Sequence, residues 1–228
     1  MAADGKFSGG PGDFAKARQD MVEMQIRRRR IADSRVLAYL EQVPRHEFVP
    51  AQFRDRAYED APLPIGGGQT ISQPYIVAAM TAAARLHGDE RVLEIGTGLG
   101  YQAAVLGNLA RDVFTVEFRA ELATEAAERL SRMSYTNVHV HCGDGTLGLP
   151  EFAPYDAILV AAAAPSVPVP LLAQLAEGGR LVVPVGGIEN QDLLLIERFG
   201  DTFPSRVLEP CRFVPLVGAH GWKETSQR

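Results

Sequence analysis

Three glycines at alternate positions, Gly96, Gly98 and Gly100, follow the apolar run Val92-Leu93-Glu94-Ile95, and two acids, Glu117 and Asp144, close later strand-like runs. A glycine turn between strand and helix permits positive φ and lets a ligand press on the backbone, while the next helix presents unpaired N–H groups. About 20 residues past the first glycine, a carboxylate in a doubly wound fold can accept both hydrogen bonds of a ribose diol, the role that Glu117 fits. Asp144, between Gly143 and Gly145, is placed to accept from the exocyclic amine of an adenine. Turn and acids together point to an adenosine-containing cofactor.

The spacing narrows the choice. Dinucleotide folds use G-x-G-x-x-G, with a pyrophosphate on the helix N-terminus, whereas this chain reads G-x-G-x-G. Glu94, just before the turn, would repel a pyrophosphate but suits a ligand carrying an ammonium and a sulfonium. The loop therefore favours S-adenosylmethionine over NAD. The acceptor is constrained by the corner Ala161-Ala162-Ala163-Ala164-Pro165, which lacks the Asp/Asn-Pro-Pro-aromatic run of exocyclic-amine methylation. It also lacks a cysteine nucleophile for pyrimidine carbon methylation, since Cys142 and Cys211 lie elsewhere. A small apolar floor suits an extended peptide held through its main chain, although four alanines can equally serve helix-on-sheet packing.

The elements needed to assemble these residues are legible in order. Strand-like Arg91–Ile95, Asp112–Glu117, Val138–His141, Tyr155–Val160 and Arg180–Pro184 alternate with helical Gln73–Leu86, Gln102–Leu109, Ala120–Met133 and Pro170–Ala176. That order predicts an α/β fold with a doubly wound, mostly parallel sheet, right-handed crossovers and all ligand-bearing strand ends at one edge. Asp192–Arg198 and Arg206–Val214 complete seven strands. Before the core, Met21, Val22 and Ile26 recur at helical spacing and Asp33 or Ser34 caps a second helix through Leu40, which predicts two short surface helices. Arg27 to Arg30 read as a solvated face. Pro44 to Pro74, rich in proline and with Gly66-Gly67-Gly68, reads as one long structured loop, a length usual for lids and binding segments.

Size and charge set the remaining bounds. The chain has 228 residues, 46% hydrophobic, and a formal net charge of -5, which suits one domain and argues against nucleic acid or an anionic membrane as partner. Two distant cysteines form neither a disulfide framework nor a metal set, so no metal is expected and a reducing, cytoplasmic setting is. Residues 1–12 read as a disordered tail, 13–216 as a single domain (helices and lid loop 13–74, cofactor-binding core 75–216) and 217–228 as a C-terminal tail. A monomer is expected.

Several segments carry a family resemblance: Gly68-Gln69-Thr70-Ile71-Ser72-Gln73-Pro74-Tyr75, Val92 to Ala104, Gly143-Asp144-Gly145, Ala162 to Pro165, Gly178 to Gly186 and Phe213-Val214-Pro215-Leu216. From about Met21 to Leu216 the chain resembles the protein-L-isoaspartate O-methyltransferases. The resemblance implies the seven-stranded sheet of S-adenosylmethionine-dependent methyltransferases with N-terminal helical additions. It implies methyl transfer to the free carboxyl of isoaspartyl residues in peptides and proteins, leaving S-adenosylhomocysteine. It further implies Ser72 as the active-site serine, Thr70, Ile71, Ser72, Glu94, Gly96, Thr97, Gly98, Glu117, Asp144 and Gly145 around the cofactor, and Ser72, Ala164, Pro165 and Val185 around the substrate. Another methyltransferase activity on this fold, toward tRNA or a small molecule, and a non-catalytic adaptor for damaged proteins are the alternatives. The acidic balance opposes the first and intact Ser72, Glu117 and Asp144 oppose the second.

Overall fold

A computed structural model describes residues 13–223. The stretch 1–12, read above as a tail, and residues 224–228 lie outside the described residues. The helices are α1 (Phe14–Asp20), α2 (Ser34–Gln42), α3 (Pro74–Ala84), α4 (Tyr101–Gly107), α5 (Ala120–Arg132) and α6 (Val169–Ala173). The strands are β1 (Leu63–Gly66), β2 (Gln69–Ile71), β3 (Arg91–Ile95), β4 (Asp112–Glu117), β5 (Val138–Cys142), β6 (Tyr155–Val160), β7 (Leu175–Gly186), β8 (Gln191–Glu197) and β9 (Ser205–Cys211). Strands β3 to β9 form one sheet in the order β5-β4-β3-β6-β7-β8-β9, parallel from β5 to β7, with β8 antiparallel to both neighbours.

The central strands carry unbroken apolar runs because both of their faces are buried. Val92, Val113, Ala157, Leu159 and Val182 point into one core with α2, α3 and α4, while Leu93, Phe114, Ile158, Val160 and Val183 point into a second core under α6. The expected seven-stranded, doubly wound sheet is present. Helix α6 and β7 share their boundary differently from the sequence reading, since β7 begins at Leu175. Its pairing to β6 shifts register between Tyr155 and Ala157, opposite the Gly178-Gly179 pair, so neither period marks its start.

The N-terminal segment departs from expectation. Helix α1 runs on through a wide turn at Met21–Ile26 and a tight one at Arg27–Arg29, and Arg30 (φ 70°) ends it. Met21, Val22 and Ile26 have no exposed surface, because this helix lies against α3. The first helices are therefore core components with one wet side, not surface additions; Arg27 to Arg30 are exposed, as read. The stretch read as a long loop is also more ordered. It holds tight turns at Arg45–Phe48 and Ala51–Arg56 and then the β1–β2 hairpin, whose Leu63 and Ile65 alternate inward while Pro64 occupies an exposed position.

Truncating Met21 to alanine should remove about 2 to 5 kcal/mol of unfolding free energy, the scale of a fully buried apolar side chain. Urea denaturation tests this, and a loss under about 0.5 kcal/mol would return the helix to the surface.

Candidate functional site

The carboxyl ends of β3, β4 and β6 open into one cleft. Gly96 and Gly98 form its floor, Glu117, Phe118 and Arg119 one wall, Ala161 and Ala162 another, and Val214 to Val217 the far side. The β1–β2 hairpin closes it from above with Ile65, Gln69 and Thr70. The hairpin tip rests on the stem of Arg119: a Cβ at Gly67 would lie 3.3 Å from Arg119 Cδ. Gly96 (φ 93°) occupies a conformation that side chains rarely adopt, and its amide donates to Val116 O at 2.8 Å, so the turn is tied back to β4.

Glu117 completes that tie. Its Oε2 accepts the Gly98 amide at 2.8 Å and its Oε1 accepts the Arg119 amide at 3.0 Å. The two bonds fix the carboxylate's orientation and leave each oxygen a further acceptor position. Glu117 thus meets the expectation of an acid at the cleft.

Below the turn, Thr97 Oγ1 and Thr115 Oγ1 lie 2.6 Å apart and Thr115 Oγ1 donates to Glu94 Oε2 at 2.6 Å. Either threonine hydroxyl can be the donor in the Thr97–Thr115 bond. Glu94 was expected to face a cationic ligand directly. It is instead fully enclosed and forms no part of the cleft wall, because its position on β3 points into the helix-covered layer. Burial, with the Thr115 bond opposing and the Glu117 charge adding, pushes its carboxyl up to about 8, so it is largely neutral at pH 7.

Asp144 also differs from expectation. Its Oδ1 accepts the Thr146 amide and hydroxyl at 2.9 and 2.6 Å, and its Oδ2 accepts the Ala219 amide at 2.7 Å. Burial raises its carboxyl, but the bonds from Thr146 and Ala219, aided by His220, hold it below the ordinary range. Gly145 reaches the cleft wall and Asp144 does not. The cause is the segment after Leu216. Residues 217–223, read above as part of a tail, fold back so that Trp222 Nε1 donates to Ala163 O and His220 N to Thr146 Oγ1. Gly145 has no room for a side chain, since a Cβ there would lie 2.5 Å from Ile95 Cγ2.

The lid side carries Thr70, exposed at the cleft, with Ile71 buried. Ser72 follows just past the end of β2, beside Thr70, and is not among the residues that line the cleft. Ser72 is half-buried and does not cap α3, whose N-cap is Gln73 with no side-chain bond. The alanine corner is not a free main-chain platform. Ala164 is fully buried, its amide donates to Pro184 O and its carbonyl accepts from Gly186, while Ala163 is bonded to Val214 and Leu216. Pro165 is exposed and Val185 half-buried, which leaves them as the reachable members of the expected substrate floor. Phe118, Arg119 and Val214 to Val217 were missed as wall residues. The signal for the first two was their place between β4 and α5 at the ligand edge. Among the described residues no group of three or more His, Cys, Asp or Glu is arranged to hold a metal ion, and no helix is long and apolar enough to cross a membrane.

Residues 16–221 match the family model described as protein-L-isoaspartate(D-aspartate) O-methyltransferase. A protein-L-isoaspartate O-methyltransferase of Roseiflexus castenholzii is 55% identical over 210 residues, covering 92% of this chain and 96% of the relative. A solved structure titled protein-L-isoaspartate O-methyltransferase superposes with a TM-score of 0.79 at 30% identity, covering 90% of this chain and 67% of that one. A Plasmodium falciparum structure, described as a complex of such an enzyme with S-adenosyl-L-homocysteine, shares the fold at a TM-score of 0.76 and 24% identity, over 88% and 98% of the two chains.

The Glu94 carboxyl has its folded value above the ordinary 4.5, so its contribution to stability is complete below about 4.5 and is lost as pH rises through about 8. Between about pH 5 and pH 9 the unfolding free energy of the native protein should therefore fall relative to Glu94→Gln, by on the order of a few kcal/mol. Parallel urea curves for the two proteins across that range would refute the buried, neutral acid.

Proposed function

As the chain belongs to the protein-L-isoaspartate(D-aspartate) O-methyltransferase family, we propose that its cleft holds S-adenosylmethionine along Gly96, Gly98 and Glu117 while Ser72 aims the acceptor carboxyl. The reaction is methyl transfer from S-adenosylmethionine to the free carboxyl of L-isoaspartyl residues in damaged peptides and proteins, which starts their repair. The observation that carries the site reading is Glu117: a carboxylate locked by Gly98 and Arg119, with acceptor positions left over, at the wall of a cleft floored by Gly96 and Gly98.

The donor set fits that cofactor. The open acceptors of Glu117 suit a ribose diol, and the Gly96 turn offers backbone rather than side chain. Gly145 and Leu216 supply apolar surface for a flat ring. Thr97 sits over the Thr115–Glu94 pair, so an ammonium nearby would draw Glu94 toward its charged form rather than meet a preformed anion. When bound, S-adenosylmethionine supplies an electrophilic methyl on a sulfonium.

The chain's own work is then alignment. An isoaspartyl carboxyl is ionised at neutral pH, since an ordinary aspartyl carboxyl titrates near 4. It is already a nucleophile and needs no general base. Ser72 can donate its hydroxyl hydrogen bond to one carboxylate oxygen and direct the other toward the methyl group, so proximity and in-line orientation supply most of the acceleration. Thr70 and Ile71 bring the hairpin down beside Ser72, and Pro165 and Val185 offer surface to the flanking peptide. A monomer in a reducing, cytoplasmic setting completes the proposal, and the exposed free thiol of Cys142 suits that setting.

Ser72→Ala should slow methyl transfer by about 10- to 100-fold, with S-adenosylhomocysteine affinity unchanged within about threefold. Single-turnover rates and titration calorimetry separate the two, and an unaltered rate would remove Ser72 from the reaction. Glu117→Ala should instead weaken S-adenosylhomocysteine by about 1.5 to 3 kcal/mol, the scale of hydrogen bonds to a charged group. Undiminished affinity in the same calorimetry would move the ribose site elsewhere.

A further inference from the structure

Arg45 opens the tight turn Arg45–Phe48, has no exposed surface and forms no ion pair among the described residues. Its Nε donates to Ala57 O at 2.7 Å and its Nη2 donates to Ser72 O at 2.7 Å, while Nη1 has no acceptor. Its Cζ lies 4.8 Å from the centroid of the Tyr101 ring, and Tyr101 is the first residue of α4, immediately after Gly100 of the glycine turn. Tyr101 is itself buried, with Phe48 edge-on at 5.6 Å and its hydroxyl without a partner.

A guanidinium enclosed without a counter-ion is an expensive way to fill space. An apolar side chain of similar length would occupy the same volume at lower cost. What the guanidinium provides is a planar fork of charge-assisted donors, which fixes carbonyls in direction as well as distance. One of those carbonyls belongs to Ser72, at a point where the backbone has left β2 and has not yet entered α3. The same plane lies over the residue that follows the glycine turn.

We propose that Arg45 is a positioning residue for methyl transfer: it holds the Ser72 peptide in register with the glycine turn through the Ser72 carbonyl and Tyr101. The proposal rests on the reading of Ser72 as the group that aims the acceptor. Arg45 touches neither substrate nor cofactor in this account. Lysine keeps the charge but, as a single donor head, cannot span both carbonyls.

The test is a double-mutant cycle on the full chain, with Arg45→Lys, Ser72→Ala and the double variant. Single-turnover transfer to an isoaspartyl peptide is measured per S-adenosylhomocysteine-binding site, so that misfolded protein is not counted. Each single variant should be at least about tenfold slower, and the double no more than about threefold slower than the slower single, because both act on one group. S-adenosylhomocysteine affinity should stay within about threefold throughout. Fully multiplicative losses, or an Arg45→Lys rate within about threefold of the native one with only a lower melting temperature, would overturn the proposal and leave Arg45 structural. A native rate in Ser72→Ala alone would instead defeat the reading of Ser72 and the proposal with it. Should Arg45→Lys bind no S-adenosylhomocysteine, Arg45→Met, which fills the stem's volume without a buried charge, enters the same cycle and is judged by the same outcomes.

Discussion

The carboxylate of Glu117 joins two segments that the chain separates: it accepts from Gly98 in the turn after β3 and from Arg119 at the entry to α5. With the Gly96 amide on Val116 O, this bond holds the glycine turn flat against the end of β4. A backbone floor for a nucleoside is then present as part of the fold, and the walls assemble from whatever the neighbouring strands carry at the same edge. Parallel order forces that convergence, because every right-handed crossover returns the next strand in the same direction.

Around this floor the protein buries polar groups that a purely stabilising design would avoid. Glu94 is enclosed with one hydroxyl donor and one oxygen without a partner, and it stays neutral as a result. Among the described residues Arg45 is enclosed with two carbonyl partners and no anion. Such groups cost stability unless fully satisfied, so they concentrate where geometry near a ligand matters. The apolar layers carry the opposing weight: each central strand is buried on both faces, and the N-terminal helix adds Met21, Val22 and Ile26 to the larger core.

How much of this was legible depended on the length scale of the signal. The sheet could be read because a strand buried on both faces is a continuous apolar run, and Glu117 could be placed because a strand end has one position. Glu94 was misplaced because a strand run does not say which face each residue takes. The bonding of Asp144 was not legible for a different reason: its partner, Ala219, lies 75 residues away in a segment without periodicity. The alanine corner looked like free backbone, yet its amides and carbonyls are consumed by bridges to Pro184, Gly186, Val214 and Leu216. The β1–β2 hairpin escaped notice because Pro64 and three glycines interrupt a strand of only four residues. The expectation that Ser72 stands on the acceptor side came from the matching family segments, since composition carries no such signal.

The central claim is that this cleft delivers a methyl group to an isoaspartyl carboxyl and not to carboxyls in general. The direct measurement is methyl transfer from labelled S-adenosylmethionine to paired peptides that differ only in an aspartyl or isoaspartyl linkage at one position. Labelling of the isoaspartyl peptide alone, in a form lost on mild alkaline hydrolysis as a methyl ester should be, is the result expected. Equal labelling of both peptides, or of neither, would contradict it.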